Sequence, residues 1–493
     1  MKLERLLKGV VPLSVSGPLD ANVSGVVCDS RQVRQGSAFV AVAGTSGDGW
    51  AFVDDAVQRG AVAVVSEHEP QTRREATQIQ VRDARAVLSQ MSAAFHDNPS
   101  QKLLVCGVTG TNGKTTTVYM LQAMIAACDM PCGLIGTVEY RIGERAIPAS
   151  RTTPDAVTLQ SLLAQIVTAG CRAVAMEVSS HALDQKRTDG IVFDAAVFTN
   201  LTQDHLDYHG TMERYFDAKQ RLFLGLGAAE KAQAKAIVNR DDAWGEKLWE
   251  LPQIRERRIG FGLRAERDVT AESLRLAADG SAFVACTPWG RFPVRLPLLG
   301  RFNVYNSLGA LATAGALGLP LDRVVRALEG MTSVPGRMQM FRSAGGVQVF
   351  VDYAHTDDAL RNALAALREL KPRRLIAVFG CGGNRDRGKR PKMGRAAEDL
   401  ADYTVLTSDN SRKEAPAAIM AEIAVGFTRR DNYAMVEDRA EAIRAAIGMA
   451  GEGDIVLVAG KGHEQFQEMA STTAPFDDRQ VVRRFLERTT DPT

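Results

Sequence analysis

No two of the seven cysteines (28, 106, 128, 132, 171, 286, 381) stand at CxxC spacing, and their number is odd. A disulfide framework or cysteine-ligated zinc site is therefore not expected, and reduced thiols in a cytosolic protein are. An excess of one charge is also missing. Sixty Lys and Arg against 58 Asp and Glu leave a net charge of +2, which gives no global field for nucleic acid or an anionic membrane. No stretch approaches the ~20 apolar residues that cross a bilayer. The opening residues Met1-Lys2-Leu3-Glu4-Arg5-Leu6-Leu7 lack the apolar core and cleavage site of a signal peptide. Short-period repeats and low-complexity tracts are absent too. What is present is an ordinary globular composition, 45% hydrophobic and 24% charged over 493 residues. At roughly 150 residues per domain, that length suggests about three domains. The expectation is a cytoplasmic, enzyme-sized chain with no nucleic-acid partner and no membrane insertion.

The most informative stretch is 108–117, Val-Thr-Gly-Thr-Asn-Gly-Lys-Thr-Thr-Thr. It follows an apolar run at 103–108 and precedes a helical pattern of Val118, Met120, Leu121, Met124 and Ile125. A strand thus feeds a glycine-rich turn that opens a helix. Backbone N–H groups and the helix dipole converge there, which suits a polyphosphate. Gly110 and Gly113 carry the turn, because Val108 stands where the first glycine of the usual P-loop pattern belongs. Lys114 would reach the β- and γ-phosphates, and the Thr115 hydroxyl would meet Mg²⁺. The nucleotide segment is Gly110, Thr111, Asn112, Gly113, Lys114, Thr115 and Thr116.

Periodicity predicts an α/β chain. Residues 1–98 hold short apolar runs at 25–28, 38–43 and 61–66, with helical patterns near 51–59 and 84–97, forming a small α/β domain. Asn98-Pro99-Ser100 marks a boundary. Residues 99–334 alternate strands (103–108, 173–178, 195–200) with helices (155–169, 213–225), then turn β-rich at 255–300 and helical at 303–330. This predicts a mostly parallel sheet covered on both faces. After Pro335-Gly336 the alternation restarts over 335–493. Strands are expected at 347–353, 374–379, 403–408 and 454–459, in a Rossmann-like doubly wound domain with ligand loops at the strand C-termini.

Polar clusters follow several of these strands. Glu177 and His205 near a P-loop could ligate a divalent cation or could cap loop backbone groups. Arg151-Thr152-Thr153-Pro154 offers hydroxyl donors and a cation to an anionic substrate, but taken alone it reads as a helix N-terminal cap. Lys219, on a predicted helix, reads on its own as a solvated lysine. Three loops, 380–391, 409–412 and 460–464, share one sheet edge. Their arginines and carboxylate suit a zwitterion carrying carboxylate and ammonium groups.

Together these segments resemble the Mur ligases, ATP-dependent amide-forming enzymes of peptidoglycan precursor synthesis. The resemblance rests on Gly110–Thr115, Glu177 with Ser179-Ser180-His181, the 199–209 block, and Gly300-Arg301-Phe302-Asn303-Val304-Tyr305-Asn306. It continues through Pro335-Gly336-Arg337-Met338, Asp352-Tyr353-Ala354-His355 and the 460–464 loop. Asp29-Ser30-Arg31, Thr152-Thr153-Pro154 and the Gly-Cys-Gly-Gly loop make the chain similar to the members that add the third peptide residue. The resemblance implies UDP-sugar, ATP and amino-acid binding by the three domains in order. Ser30 would contact the UDP moiety, and Thr152, Thr153, Ser179, Gln185 and Arg187 the muramoyl-dipeptide, UDP-MurNAc-L-Ala-D-Glu. Lys114, Thr115, Glu177 and His205 would serve phosphates and magnesium. Asn303, Arg337, Asp352 and His355 would face the nucleotide. Lys219 would be carboxylated to a carbamate that ligates magnesium, and the catalytic set would be Lys114, Lys219 and His205.

The implied amino-acid pocket is Arg385, Asp409, Asn410, Arg412, Gly460 and Glu464. Diaminopimelate-specific members carry Asp-Asn-Pro-Arg; here Ser411 replaces the proline and Arg412 is kept. Lysine lacks the distal carboxylate, so its ammonium would be repelled by Arg412. This favours meso-diaminopimelate as the added amino acid, with a monomer as the expected state. The alternatives are an L-lysine-adding enzyme or another Mur or folylpolyglutamate synthase-type ligase. A nucleotide-switched binding protein is the rival from another class, and it would need no amino-acid pocket. Trp50 stands where many members have His after Asp-Gly.

Overall fold

The computed structural model describes residues 1–488 apart from 45–46, 72–74, 228–230, 278 and 471. Two compact units divide the chain. One comprises Met1–Thr109, Asp129–Val197 and Ala218–Ala236, and the other Gly110–Cys128, Phe198–Asp217 and Ile237–Thr493. The fold is mixed α/β throughout.

The first unit opens with a five-stranded sheet in the order Ser14–Ser16, Thr77–Gln80, Ala63–Ser66, Ser37–Val40, Gly25–Val27. Only its edge strand Ser14–Ser16 is antiparallel. Alternation sorts the side chains by face. Ala38, Val40, Ala63 and Val65 pack with Met91 and Leu88 of the helix Ala84–Phe95. Phe39, Ala41 and Val64 pack with Val53 and Ala56 on the other side. Asp83 caps the helix Ala84–Phe95 by accepting from Ala86 N, the arrangement that satisfies an orphan N–H of the first turn.

Six strands of an eight-stranded sheet follow in the order Ala195–Phe198, Leu104–Thr109, Ala173–Glu177, Cys132–Ile135, Glu139–Ile142, Arg145–Pro148. Ala173–Glu177 pairs in parallel with Leu104–Thr109 and Cys132–Ile135, and the last two strands return antiparallel. Parallel pairing brings the C-terminal ends of three strands to one edge. Thr109, Gly136 and Glu177 therefore come from distant parts of the sequence to neighbouring positions.

In the second unit, the helix Lys114–Ala126 packs on Arg301–Ala316. Both are buried around most of their circumference, which explains their apolar sequences. The stretch read as β-rich is an antiparallel meander of Thr270–Ala277, Gly280–Thr287 and Gly290–Leu296. The helical segment expected at 303–330 is two helices, Arg301–Ala316 and Leu321–Glu329. They are broken at Gly318, whose φ of +72° ends the first.

The last sheet orders Gln339–Arg342, Gln348–Asp352, Ile455–Ala459, Leu375–Phe379, Tyr403–Leu406, Tyr433–Met435. All of its pairs after the first are parallel. Leu375, Ala377, Phe379, Leu457 and Leu406 face one core, with Leu360, Leu364, Met393 and Ile423 from covering helices. Ile376, Val378, Val456 and Val458 face another, with Ile443, Ala446 and Val482. Each buried Val, Leu or Ile contributes about 1.5–3 kcal/mol, so these double-sided strands fix the sheet edge on which the polar loops stand. The final strand, Ile455–Ala459, lies between Gln348–Asp352 and Leu375–Phe379. Such a reversal of strand order is where doubly wound sheets place ligands, at the strand C-termini.

Candidate active site

The phosphate loop is built by contacts only glycine permits. Gly110 has φ +148° and Gly113 φ +86°. A Cβ on Gly110 would overlap Thr199 Oγ1, and one on Gly113 would overlap Asn306 Oδ1. Around them, Thr111 N donates to Asn200 O at 2.8 Å and Asn112 N to Asn200 Oδ1 at 3.0 Å. Thr199 Oγ1 donates to Asn112 O at 2.6 Å. Lys114 Nζ curls over the loop onto Gly110 O and Thr111 O, at 3.1 and 2.9 Å. Lys114 through Thr116 form the first turn of the helix, so its positive end faces the loop. Rigid N–H groups, a lysine and a helix N-terminus make an anion cradle.

Thr115 Oγ1 accepts from Arg337 Nη2 at 2.8 Å, and Arg337 lies over the Tyr353 ring at 4.7 Å. Asp352 accepts from Met338 N and Ala354 N at 2.7 and 2.8 Å. Burial raises its pKa, partly offset by Arg337. Asn303 is buried, donating to Leu299 O and accepting from Asn306 Nδ2 at 3.1 Å. Its contact with the cradle thus runs through Asn306, the residue under Gly113. His205 has φ +53° and lies 3.4 Å from Asp204 Oδ2. Burial pushes Asp204 up, but His205, His355 and Lys389 outweigh it and hold the carboxyl low. Burial and Lys389 both lower His355, which sits with Nδ1 2.8 Å from Tyr353 O. Asp358, which the motifs did not single out, binds Asn112 Nδ2 at 2.9 Å and Thr202 Oγ1 at 3.1 Å.

The first unit carries the other half of the sequence-predicted set. Glu177 is 1% exposed. Its Oε1 accepts from Thr137 N at 2.8 Å and its Oε2 from Thr137 Oγ1 at 3.0 Å. A Cβ on Gly136 would come within 2.7 Å of Oε1, so glycine there lets the carboxylate reach the strand end. A buried carboxylate held by neutral donors is a suitable cation ligand. Among the described residues, no three His, Cys, Asp or Glu side chains form a metal cluster. Thr152 Oγ1 is 3.1 Å from the Thr137 hydroxyl. Thr153 Oγ1 donates to Glu177 O and accepts from Ser179 N, at 2.9 and 3.0 Å. Arg187 donates to Thr153 O at 2.8 Å and, through Nη2, to Gln185 Oε1 at 2.7 Å. Thr152, Thr153, Ser179, Gln185 and Arg187 thus form one hydrogen-bonded group. Thr137 is its missed member; the signal was Gly136-Thr137 directly after the apolar run 132–135.

Lys219 is 1% exposed on the helix Met212–Leu224. The reading as a solvated lysine is overturned, since a lysine rarely accepts full burial without a special role. Ser30 is buried, and its hydroxyl helps Arg59 hold the Asp55 carboxyl low. Trp50 stacks on His68 with ring centroids 4.5 Å apart.

At the last sheet edge, Gly460 (φ +115°) approaches Asp409 so closely that a Cβ would sit 2.6 Å from Oδ2. Burial raises Asp409, but Arg439 and Lys461 bring it below the ordinary range. Asn410 Nδ2 donates to Glu464 Oε2 at 2.9 Å. Lys461, fully buried and not anticipated, donates to Asn410 Oδ1 and Glu464 Oε2 at 2.9 and 2.8 Å. The loop 380–391 is less open and less cationic than its composition suggests. Arg390 is fully buried between Glu414 and Glu422, and Arg387 pairs with Glu422. Arg385 remains exposed.

The Arg390 pair gives a pH prediction. Side-chain bonds from Arg390 and the Asn384 N–H bring Glu414 from 4.5 to about 2. A depressed carboxylate stabilises the fold fully above its unfolded value and loses that contribution as pH falls through about 2. Glu414→Gln should cost about 1–3 kcal/mol at neutral pH. Melting both forms from about pH 6 to about pH 2.5 should show the wild-type margin shrinking with acid; a margin that stays constant would mean that the charge of Glu414 adds no stability.

Comparison with known proteins agrees with this geometry. Residues 22–96, 108–314 and 336–462 match the models described as Mur ligase family, catalytic domain; Mur ligase middle domain; and Mur ligase, glutamate ligase domain. A Geobacter sulfurreducens protein named UDP-N-acetylmuramoyl-L-alanyl-D-glutamate--2,6-diaminopimelate ligase is 46% identical, covering 97% of both chains. A protein of the same name from Solibacter usitatus is 44% identical over 99% of this chain and 98% of its own. A solved structure bearing that name is 34% identical, with TM-score 0.71 and 100% of both chains covered. With matches from end to end and the phosphate cradle in place, the chain belongs to the Mur ligase family.

Proposed function

We propose that the chain joins the D-glutamyl γ-carboxyl of UDP-N-acetylmuramoyl-L-alanyl-D-glutamate to an amine of meso-diaminopimelate, with cleavage of ATP to ADP and phosphate. The carboxylate attacks the γ-phosphorus, giving an acyl phosphate and ADP. The amine then adds to the acyl carbon, and the tetrahedral intermediate loses phosphate and a proton to leave the amide. Catalysis is positioning and electrostatics. Lys114 and the N–H groups at the start of the helix, 113–115, hold the phosphates, since those of Thr111 and Asn112 are bonded to Asn200. Thr115, Glu177, His205 and a carboxylated Lys219 would hold magnesium, which when bound neutralises charge on the transferring phosphoryl group. Thr152, Thr153, Ser179, Gln185 and Arg187 orient the dipeptide, Ser30 the UDP moiety, and Asn303, Arg337, Asp352 and His355 the nucleotide. Segments 1–98, 99–334 and 335–493 take UDP-sugar, ATP and amino acid in turn, in a cytoplasmic monomer.

The observation that carries the choice of amino acid is one loop cluster at a sheet edge. Asn410 is bonded to Glu464 and Arg412 follows two residues on in the same loop, which supports an acceptor for ammonium and a guanidinium for carboxylate in one pocket. Mass spectrometry of the product formed from ATP and UDP-muramoyl-dipeptide, with diaminopimelate and lysine competing, tests it. Tripeptide containing diaminopimelate is expected; lysine incorporation would indicate the lysine-adding activity, and phosphate release without amide would indicate a switch.

A further inference from the structure

Arg412 stands in an unusual local setting. Its φ is +50°, and the residue before it is a buried serine, Ser411, which does not restrict the backbone as proline would. The loop is nevertheless held, from two sides. On one side, Gly383 N donates to Asn410 O at 2.9 Å, and a Cβ on Gly383 would overlap Ser411 O. On the other side is the strand Phe466–Met469, paired with Thr472–Pro475. Arg412 N donates to Glu468 O at 3.1 Å, and Glu468 N to Asn410 Oδ1 at 3.0 Å. Gln467 Nε2 adds bonds to Ser408 Oγ and Asp409 O at 3.0 and 3.1 Å.

The side chains continue this pairing. Arg412 Nε lies 2.9 Å from Glu468 Oε2, and Arg412 Nη1 donates to Gly383 O at 3.0 Å. A guanidinium has five N–H groups. Two directions are thereby fixed, and among the described residues the Nη2 group has no protein partner. An arginine held by an ion pair at Nε and a hydrogen bond at Nη1 turns its Nη2 group in one direction, where it can donate to a carboxylate. As an ion pair the contact is part-exposed, with side chains 28% and 37% accessible, so it adds little to stability. Its effect is on orientation.

We propose that Glu468 is a positioning residue that fixes Arg412 for the distal carboxylate of the incoming amino acid, doing for this loop what a rigid backbone at 411 would otherwise do. The inference rests on the reading above that Arg412 meets that carboxylate. Glu468 does not touch the reacting atoms, so its loss should change recognition of one substrate and leave the chemistry alone.

Steady-state kinetics of the full chain test this with meso-diaminopimelate, ATP and UDP-muramoyl-dipeptide varied in turn. Glu468→Ala should raise KM for diaminopimelate about tenfold, with kcat and the other two KM values within about twofold. Glu468→Gln, whose carbonyl can still accept from Nε, should recover most of the loss. In Arg412→Ala, adding Glu468→Ala should change nothing further. An unchanged KM for diaminopimelate in Glu468→Ala, or full additivity with Arg412→Ala, overturns the inference. A wild type that incorporates no diaminopimelate sinks the proposed function instead, so the two failures are told apart.

Discussion

Lys114→Ala should lower the turnover of ATP by about a hundred- to a thousandfold, the loss expected when one preorganised charge is taken from a transferring group. The ground-state contacts of Lys114 explain why the effect falls on rate. Its Nζ is bonded to Gly110 O and Thr111 O, so the side chain already lies along the loop. The loop itself is shaped by Gly110, Gly113, Thr199 and Asn200, all of which the variant keeps. Stability should fall by only about 1 kcal/mol for the two lost hydrogen bonds. Binding of ADP should weaken modestly, because the N–H groups at the helix start, 113–115, remain. The measurement is amino-acid-dependent ADP release beside an ADP titration and a thermal melt. Turnover within tenfold of wild type would remove Lys114 from the phosphate site, and a collapsed melt would show the loss to be structural.

The phosphate cradle was legible because every part of it is local: an apolar strand, two glycines, a lysine and a helix within the 23 residues 104–126. The alternation of the last sheet was legible for the same reason, since fully buried parallel strands read as short apolar runs. What escaped has partners far along the chain. Thr137 is forty residues from Glu177, Lys461 is fifty-one from Asn410, and Asp358 is 246 from Asn112. Nothing in the neighbourhood of Lys461 or Asp358 marks such pairings, and at Thr137 the one local sign is its place after Gly136 at the end of an apolar run. Lys219 is a different case. Tyr215, Phe216, Leu222 and Phe223 are buried at i−4, i−3, i+3 and i+4 from it, the spacing of one helix face. The helix pattern therefore placed that lysine inside, but the general exposure of lysine outweighed it. Arg390 could not be read locally either: it sits in a run of charges between glycines, while its partners Glu414 and Glu422 lie 24 and 32 residues away.

The largest expected stability change comes from the pair behind the amino-acid loops. Arg439 and Asp478 are both fully buried, joined by Nε–Oδ1 and Nη2–Oδ2 contacts of 2.8 Å. Arg439 also donates to Ser408 O at 3.2 Å and Ala459 O at 2.9 Å. Those carbonyls immediately precede Asp409 and Gly460, so one guanidinium ties together the ends of two strands that carry the site. Asp478→Ala leaves a buried cation without its partner and should cost about 3–5 kcal/mol. The urea midpoint of the transition should fall accordingly, with KM for diaminopimelate rising as the two loops lose their common anchor. Replacing both residues by apolar side chains, Arg439→Met with Asp478→Leu, removes the desolvation cost along with the pair. It should recover most of the stability, yet leave Ser408 O and Ala459 O without their donor. If the double variant regains the urea midpoint while KM for diaminopimelate stays raised, the pair positions the site as well as stabilising the sheet. If KM recovers together with the midpoint, its role is confined to folding.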